Sequence, residues 1–459
     1  MSARPVERWS LLILAGCLLP LGASARAEGR RSTSLVATQD TLTLERAVRI
    51  ALGRNPDIQD ARSRADAAGA AHRANLGSFL PSAQASLNLS RNSFKTVTFP
   101  SPEGSSQKLD TPLESVTKSA SQGLRFSWDL LRGGRRIAEL RQGSAARRAT
   151  RYRLSATERT VVGTVRRAYY SALKQQGLVE VARRQLEGRR RDLEVARRRY
   201  EIAAVMRTDV LGAQILLGQA EVDLLDAQNA ERAAKRTLQV AMGREAEGDV
   251  VLRDVEIAPA VDPLDVRQLV ATAIATQPEL AALQADVATA SAALWAARTS
   301  YIPTISLGFS LNRSESLGPN GDFFTFNPSN RARLFSVSAS WNVFDGFGRE
   351  DQAVQAAAGR RQAEAALTKR RLALEKEVRD FVQEIGSRAR RLELQRRNFE
   401  LAQQRVDLTR EQYRLGTIEY VELLQAIQQL TAAERSLITE RYDYLSAWAN
   451  LEERVGDLR

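Results

Sequence analysis

Residues 128–134 read WDLLRGG and residues 341–348 read WNVFDGFG, and each stretch joins two different sequence patterns. Before each tryptophan, apolar and polar residues alternate, which predicts a β-strand with one apolar face. After each stretch, apolar residues recur at intervals of seven, which predicts a long helix packed on other helices. The glycines permit backbone directions that bulkier residues resist. The sequence therefore predicts two points at which a strand passes into a long helix almost without a linker.

These stretches belong to two copies of one unit. Trp128 lies 72 residues before Tyr200, and Trp341 lies 72 residues before Tyr413. An Asn-Pro pair at 55–56 and a Gln-Pro pair at 277–278 occupy matching places before the first strand of each copy. Such self-similarity predicts two similar supersecondary units. The predicted organisation is a signal peptide at 1–27, an N-terminal segment at 28–44, repeat one at 45–243, a linker between the repeats at 244–266, repeat two at 267–456 and a tail at 457–459.

Each copy is predicted to run helix, strand, loop, strand, long helix, turn and helix. The predicted strands are 82–95, 119–131, 304–315 and 334–345. Their alternation fits either a soluble sheet packed on one side or a membrane barrel that is apolar toward lipid and polar toward a wet lumen. Taken alone, the alternation favours the soluble sheet. The aromatic residues near strand ends suit a lipid interface instead, and they are Phe94, Trp128, Phe309 and Trp341.

The predicted helices carry apolar stripes at intervals of seven. The stripes are Val165, Ala172, Val179, Leu186, Leu193 and Tyr200 in copy one, and Val378, Ile385, Leu392, Phe399, Val406 and Tyr413 followed by Leu423, Leu430, Leu437, Tyr444 and Leu451 in copy two. A helix from Arg135 to Tyr200 would span ~100 Å. A lone coiled coil has no use for strands, and four strands per chain cannot close a membrane barrel. We therefore expect several chains to share one barrel.

The first residues have the pattern of an export signal. Arg4 and Arg8 precede an apolar run at 9–21 and then small residues, which predicts cleavage near Ala27. The lipobox-like LAGC at 14–17 offers a competing site, with lipidation of Cys17. The apolar run continues past Cys17, so simple cleavage is favoured. No later segment offers the ~20 apolar residues of a membrane-spanning helix.

The net charge of +13 suggests a nucleic-acid partner, but the charge pattern argues against one. The basic runs 189–191 and 197–199 have acidic neighbours and no interleaved aromatic residues for base stacking. The chain has one histidine, His72, and one cysteine, without a Walker or Rossmann glycine loop. We expect no nucleic-acid binding, no enzymatic activity, no cofactor and no metal site. His72 is predicted to be solvated on a polar helix face.

The chain resembles the TolC-type outer-membrane efflux proteins over nearly its whole length after the signal. The resemblance rests on the pairs at 55–56 and 277–278, on FLP at 79–81 and YIP at 301–303, on the Trp-Asp and Trp-Asn corners, and on YRLGT at 413–417. It implies a mainly α fold with a β-barrel portion. Three identical chains would form one twelve-stranded barrel in outer-membrane lipid, continued by a helical barrel across the periplasm.

The function implied by the resemblance is a passive exit duct of a tripartite efflux or type I secretion system. Its partners would be a periplasmic adaptor and an inner-membrane pump driven by protons or ATP. The rival hypothesis is an envelope coiled-coil scaffold or adhesin without transport activity. That rival predicts long helices, but it does not predict two matching strand pairs.

The resemblance also implies functional residues at the two helix turns. The residues expected to dock the adaptor are Tyr200, Ile202, Ala203, Tyr413, Leu415, Gly416 and Thr417, and those expected to line the pore constriction are Asp209, Glu422 and Gln425. A ring of carboxylates there would attract cations. The alternative for Asp209 and Glu422 is a solvated helix start, where acids favour the helix dipole.

Three positions near the turns depart from the family pattern. Ala203 stands where the family usually has glycine, and Gln425 stands where a second acid is common. Ile418 cannot form the salt bridge that an arginine could make there. Any latch that holds the closed state must therefore use other residues.

Overall fold

The computed structural model describes residues 41–100, 106–202, 206–246, 250–255, 264–317, 330–415 and 417–456. Within these ranges, only the backbone is described for 96–100 and 106–114. The predicted signal peptide, Cys17, Ala203, Gly416 and the tail at 457–459 lie outside the described residues. In chain order the elements are α1 (Leu44–Arg54), α2 (Pro56–Gly77), β1 (Ser82–Pro100), β2 (Ser106–Arg132), α3 (Arg135–Glu201), α4 (Arg207–Ala241), α5 (Val266–Thr276), α6 (Pro278–Thr299), β3 (Thr304–Leu317), β4 (Asn330–Ser340), α7 (Gly348–Arg414) and α8 (Tyr420–Val455).

The helices repeat in length from one copy to the next. Both α1 and α5 have 11 residues, α2 and α6 have 22, and α3 and α7 have 67. The predicted long helices that follow the strands are thus confirmed. Because local spacing of apolar residues decides where these helices form, matching sequence spacing produces matching lengths.

Asn55 shows how the first short helices are joined to the rest of the copy. Its side-chain oxygen accepts a hydrogen bond from the Asp57 amide at 2.9 Å and so caps α2, while Pro56 occupies the first turn. Its Nδ2 donates to the Ala241 carbonyl at 2.9 Å. Gly243 has a φ of +71°, and a Cβ there would lie 2.7 Å from the Arg54 carbonyl oxygen. The end of α4 can therefore approach the junction of α1 and α2 only with glycine at this position.

The copy-one stripe faces the helical core for most of its length. Val165, Ala172, Val179, Leu186 and Leu193 are buried. Tyr200, the last member, is 47% exposed, so the stripe leaves the core at the end of α3. Each fully buried leucine or valine contributes about 1.5–3 kcal/mol relative to an exposed one. The long helix is therefore held by packing along its shaft and is freer at its tip.

Ion pairs join copy one to copy two along the line where α3 meets α8. Arg167 Nη1 donates to Glu453 Oε2 at 2.6 Å, and Lys174 Nζ donates to Asp443 Oδ1 at 3.1 Å. Two further pairs, Arg166 with Glu452 and Arg184 with Glu434, follow the same antiparallel alignment. The two copies are thus connected through the first long helix and the last helix.

The four strands form one antiparallel sheet in the order β1-β2-β3-β4. Side chains alternate between its two faces. Phe126, Phe309 and Phe335 lie in register across β2, β3 and β4, which defines the apolar face. The neighbouring row of Ser127, Gly308 and Ser336 defines the polar face. The predicted strand pairs and their alternation are confirmed.

The strand limits differ from the prediction by four residues or more at four ends, and one of these is the end of β1, which lies at Pro100 rather than 95. β2 begins at Ser106 rather than 119, and β4 runs from Asn330 to Ser340 rather than from 334 to 345. Backbone pairing, rather than side-chain alternation, decides where a ladder ends. Trp341 therefore lies outside the strand, because the chain turns toward α7 with φ values of +65° at Gly346 and +68° at Phe347.

The positions of Phe94 and Phe309 differ from those expected of aromatic residues at a lipid interface. It pairs in register with Ser115 and lies on the same face as Asn92, which is the polar face of the sheet. Phe309 lies in mid-strand on the apolar face, with its ring centroid 6.3 Å from that of Phe126. Of the four aromatic residues, only the two tryptophans lie where strand meets helix.

The two tryptophan corners have matching hydrogen bonds. Trp128 Nε1 donates to the Phe79 carbonyl at 3.0 Å, and Trp341 Nε1 donates to the Tyr301 carbonyl at 3.3 Å. Each bond ties the end of a strand pair to the segment that precedes its first strand. The indole of an exposed tryptophan combines an apolar body with a polar N–H, as at lipid–water boundaries.

The helices differ from two of the expectations. α6 is long and apolar enough to cross a membrane by length and composition, contrary to the expectation for segments after the signal. It packs against α3 and α7, with Leu280 and Leu294 buried. His72 is half-buried rather than solvated, and its Nδ1 is buried without a hydrogen-bond partner in the described part of the chain.

Candidate functional site

The two helix turns place the predicted adaptor-docking residues at the ends of the long helices. Ile202 is 74% exposed at the first turn, and Leu415 is 64% exposed at the second. Thr417 closes the second turn, because its amide and its hydroxyl both donate to the Gln412 carbonyl at 3.0 Å. Met206, 74% exposed, adds an apolar side chain to the first turn that the sequence reasoning missed. Exposed apolar side chains at a helix turn are suited to protein contact.

The predicted constriction residues lie in the first turns of the two returning helices. Asp209 and Glu422 are exposed in the first turns of α4 and α8, and Gln425 is exposed one turn further along α8. Asp209 Oδ2 accepts a hydrogen bond from the Met206 amide at 3.1 Å, so this carboxylate also caps its own helix. The hydrogen bonds and ion pairs of the described residues do not join Asp209 to Glu422. The chain alone thus leaves both carboxylates available to solvent.

A direct link connects the tip of copy one to the tip of copy two. The Arg199 guanidinium, near the end of α3, lies 4.4 Å from the ring centroid of Tyr413, near the end of α7. Arg199 Nη1 also donates to the Tyr413 hydroxyl. Tyr413 in turn lies 5.8 Å, between ring centroids, from Tyr420 at the start of α8. We call Arg199, Tyr413 and Tyr420 the tip cluster.

A buried ion pair lies behind the tip cluster. Arg189 is 4% exposed, and its Nη1 donates to Asp192 Oδ2 at 3.1 Å. Burial, followed by the nearby Asp192 carboxylate, raises the pKa of Tyr420 to about 12. Tyr420 therefore stays neutral around neutral pH. The sequence showed these arginines only as a basic run, because the pairing depends on how the two copies meet.

The sheet is uncovered on its apolar face. Leu87 is 60% exposed, Phe335 67% and Val337 62%, and all eleven residues of β4 are exposed. The strands β1 and β4 are the sheet edges, and within the described residues neither edge is paired on its outer side. A soluble sheet would cover such a face with protein. This chain therefore presents both an apolar surface and two open backbone edges.

Two of the long helices also carry exposed apolar stripes. On α7 the spacing of seven is unbroken, and the stripe comprises Leu394, Leu401, Leu408 and, just past its end, Leu415. On α4 the stripe comprises Leu211, Ile215, Val222 and Leu225. These are coiled-coil seams without a partner helix in the described part of the chain.

Among the described residues, no group of three or more His, Cys, Asp or Glu side chains could hold a metal ion.

Duplicated units of paired strands and coiled-coil helices, joined by one open sheet, define the fold class, and the solved structure of CusC shares this fold with a TM-score of 0.73 at 18% identity over 90% of this chain and 92% of that one. A sequence model described as outer membrane efflux protein matches residues 47–244 and 269–457. The chain belongs to this family, whose members form trimeric channels in the outer membrane.

Individual relatives agree with this assignment. The alkaline protease secretion protein AprF of Pseudomonas aeruginosa is 26% identical over 337 residues, covering 70% of this chain and 66% of AprF. Protein CyaE of Bordetella pertussis is 30% identical over 277 residues, covering 59% of this chain and 56% of CyaE. The matches thus span slightly less than two thirds of the first relative and just over half of the second.

The solved structures resemble the fold over most of the chain. The MtrE outer membrane channel of Neisseria gonorrhoeae, in its open state, aligns with a TM-score of 0.71 at 19% identity. The alignment covers 90% of this chain and 88% of that one. The mainly α fold with a four-stranded sheet per chain is thereby confirmed.

Proposed function

We propose that this chain is one subunit of a homotrimeric, passive exit duct of an efflux or type I secretion system. The observation that carries the proposal is the sheet, which exposes an apolar face and leaves both edge strands open. In lipid every backbone donor and acceptor must be paired, so an open edge is tolerated only if another chain pairs with it. Three chains contributing four strands each would close a twelve-stranded barrel.

The exposed helical stripes support the same assembly below the membrane. Within one chain α3 pairs with α8, which leaves α4 and α7 on the outer sides of the four long helices. We propose that α4 of one subunit packs against α7 of the next. Their apolar stripes would then form the missing coiled-coil seams. This arrangement closes the helices into a ring at the same time as the strands.

The helix turns would perform two tasks in such a duct. Exposed Ile202, Met206 and Leu415 offer an apolar docking surface for a periplasmic adaptor, beside the other predicted tip residues. Asp209 and Glu422 would contribute carboxylate rings to the constriction, which favour cations. The tip cluster would stabilise the closed arrangement, because it bridges the two copies at their ends. Energy for export would come from an inner-membrane pump.

Extraction followed by conductance measurement tests the proposal. We expect the protein to require detergent for extraction and to form cation-selective channels after reconstitution into planar bilayers. Recovery in the soluble periplasmic fraction without detergent would favour the scaffold or adhesin hypothesis. A Leu401→Asp substitution should weaken trimer formation, whereas Leu372→Asp, at an exposed position of α7 outside the stripe, is the matched control.

A further inference from the structure

The apolar face of the sheet changes abruptly to a basic surface near its loop end. Along β4, Val337 and Phe335 are followed on the same face by Arg333 and Arg331. Along β3, Leu311 is followed by Arg313, which lies directly opposite Arg331. We call Arg313, Arg331 and Arg333 the arginine cluster.

The arginine cluster is exposed and internally repulsive. All three residues are exposed, and the next side chain on the same face of β3 is Glu315, two residues beyond Arg313. Side chains directly opposite each other on neighbouring strands have Cβ atoms about 5 Å apart, and like charges at that distance destabilise a sheet. An arrangement that brings three guanidinium groups together beside a single carboxylate keeps an excess of positive charge, which fits an anion that binds between the guanidinium groups.

The position of the cluster identifies the kind of anion. On the polar face, Arg125 lies in register with Gln84 and Ser310, among uncharged side chains. The arginine cluster instead lies on the apolar face, with Arg333 one side-chain step beyond the phenylalanine row and Arg313 and Arg331 two steps beyond it. A soluble anion has no reason to bind at the border of an apolar surface. A lipid headgroup does, because its acyl chains cover the phenylalanines while its phosphates reach the arginines.

We propose that the arginine cluster binds the phosphates of phosphorylated glycolipid in the outward-facing leaflet of the outer membrane. This inference rests on the proposed function, which places the helices in the periplasm and therefore places the loop end of the sheet outside. Bidentate guanidinium contacts to phosphate oxygens would relieve the repulsion between Arg313 and Arg331. The lipid would thus act as a structural ligand of copy two.

The test uses the full-length trimer in detergent, with lipid A as the probe and lipid A lacking both phosphates as its comparison. Binding would be measured by native mass spectrometry. Each arginine near an anionic surface contributes roughly a fivefold gain in affinity, so the triple variant Arg313→Gln, Arg331→Gln, Arg333→Gln should bind lipid A about a hundredfold more weakly. Arg125→Gln, on the polar face, is the matched control and should bind as the wild type does.

Two results would overturn the proposal: retention of wild-type affinity by the triple variant, or equal wild-type affinity for lipid A and its dephosphorylated form. Millimolar inorganic phosphate that abolishes lipid A binding would assign the cluster to free phosphate and would likewise overturn it. Planar-bilayer conductance of the same samples shows whether each variant is folded. If the triple variant does not conduct, Arg333→Gln alone should weaken binding about fivefold. Wild-type protein that binds lipid A without conducting would contradict the proposed function but leave the binding assignment intact.

Discussion

Removing the Arg199 side chain should shift the channel toward its open state. In one chain, the guanidinium stacks 4.4 Å from the Tyr413 ring centroid and donates to the Tyr413 hydroxyl. A partly exposed cation–π contact is worth about 0.5–1 kcal/mol, and a hydrogen bond contributes about 0.5–1.5 kcal/mol net. Arg199→Ala should therefore destabilise the closed arrangement by about 1–2.5 kcal/mol per chain, which changes the ratio of closed to open tips roughly five- to seventyfold.

Single-channel recording in planar bilayers measures this effect as open probability and conductance. Tyr413→Phe keeps the ring and removes only the hydroxyl, so it should give a smaller shift in the same direction. Arg198→Ala is the matched control, because Arg198 pairs with Glu194 on its own helix and does not reach copy two. If Arg199→Ala and Tyr413→Phe both have the open probability and the conductance of the wild type, the tip cluster does not hold the channel closed.

Three further predictions concern the constriction, the helical core and the tip cluster. Replacing Asp209 and Glu422 together by alanine should reduce cation selectivity, seen as a smaller reversal potential in a KCl gradient, whereas unchanged selectivity would remove both from the constriction. Tyr169→Phe should lower the free energy of unfolding by about 1 kcal/mol, measured by denaturant titration, because the Tyr169 hydroxyl lies 2.8 Å from the Leu42 carbonyl oxygen and 2.7 Å from that of Arg253. The pKa of Tyr420 is raised to about 12, so its contribution to stability should be complete below about pH 10, the unfolded pKa, and be lost as pH rises through about 12. In Tyr420→Phe the melting temperature should therefore fall less steeply between about pH 10 and pH 12 than in the wild type. An equally steep fall in the variant would contradict this assignment.

Much of the fold could be predicted from the sequence because its signals are local. The spacing of seven through Val165 to Leu193 and the alternation around Phe309 are properties of neighbouring residues. Backbone hydrogen bonds then form wherever a partner strand continues, so β2 extends past its alternating segment to Ser106. For the same reason sequence bounds of strands are less accurate than bounds of helices.

The sequence by itself determined the duplication, the order of the elements, the long helices and the positions of the two turns, since these follow from spacing within short windows. The tertiary structure alone decided which side chains meet across the copies. Arg199 and Tyr413 are 214 residues apart, and they meet because α3 packs against the helices of copy two. The facing arginines at 313 and 331 likewise depend on the register of β3 with β4. Such contacts arise from packing over long separations, which no local pattern of residues records.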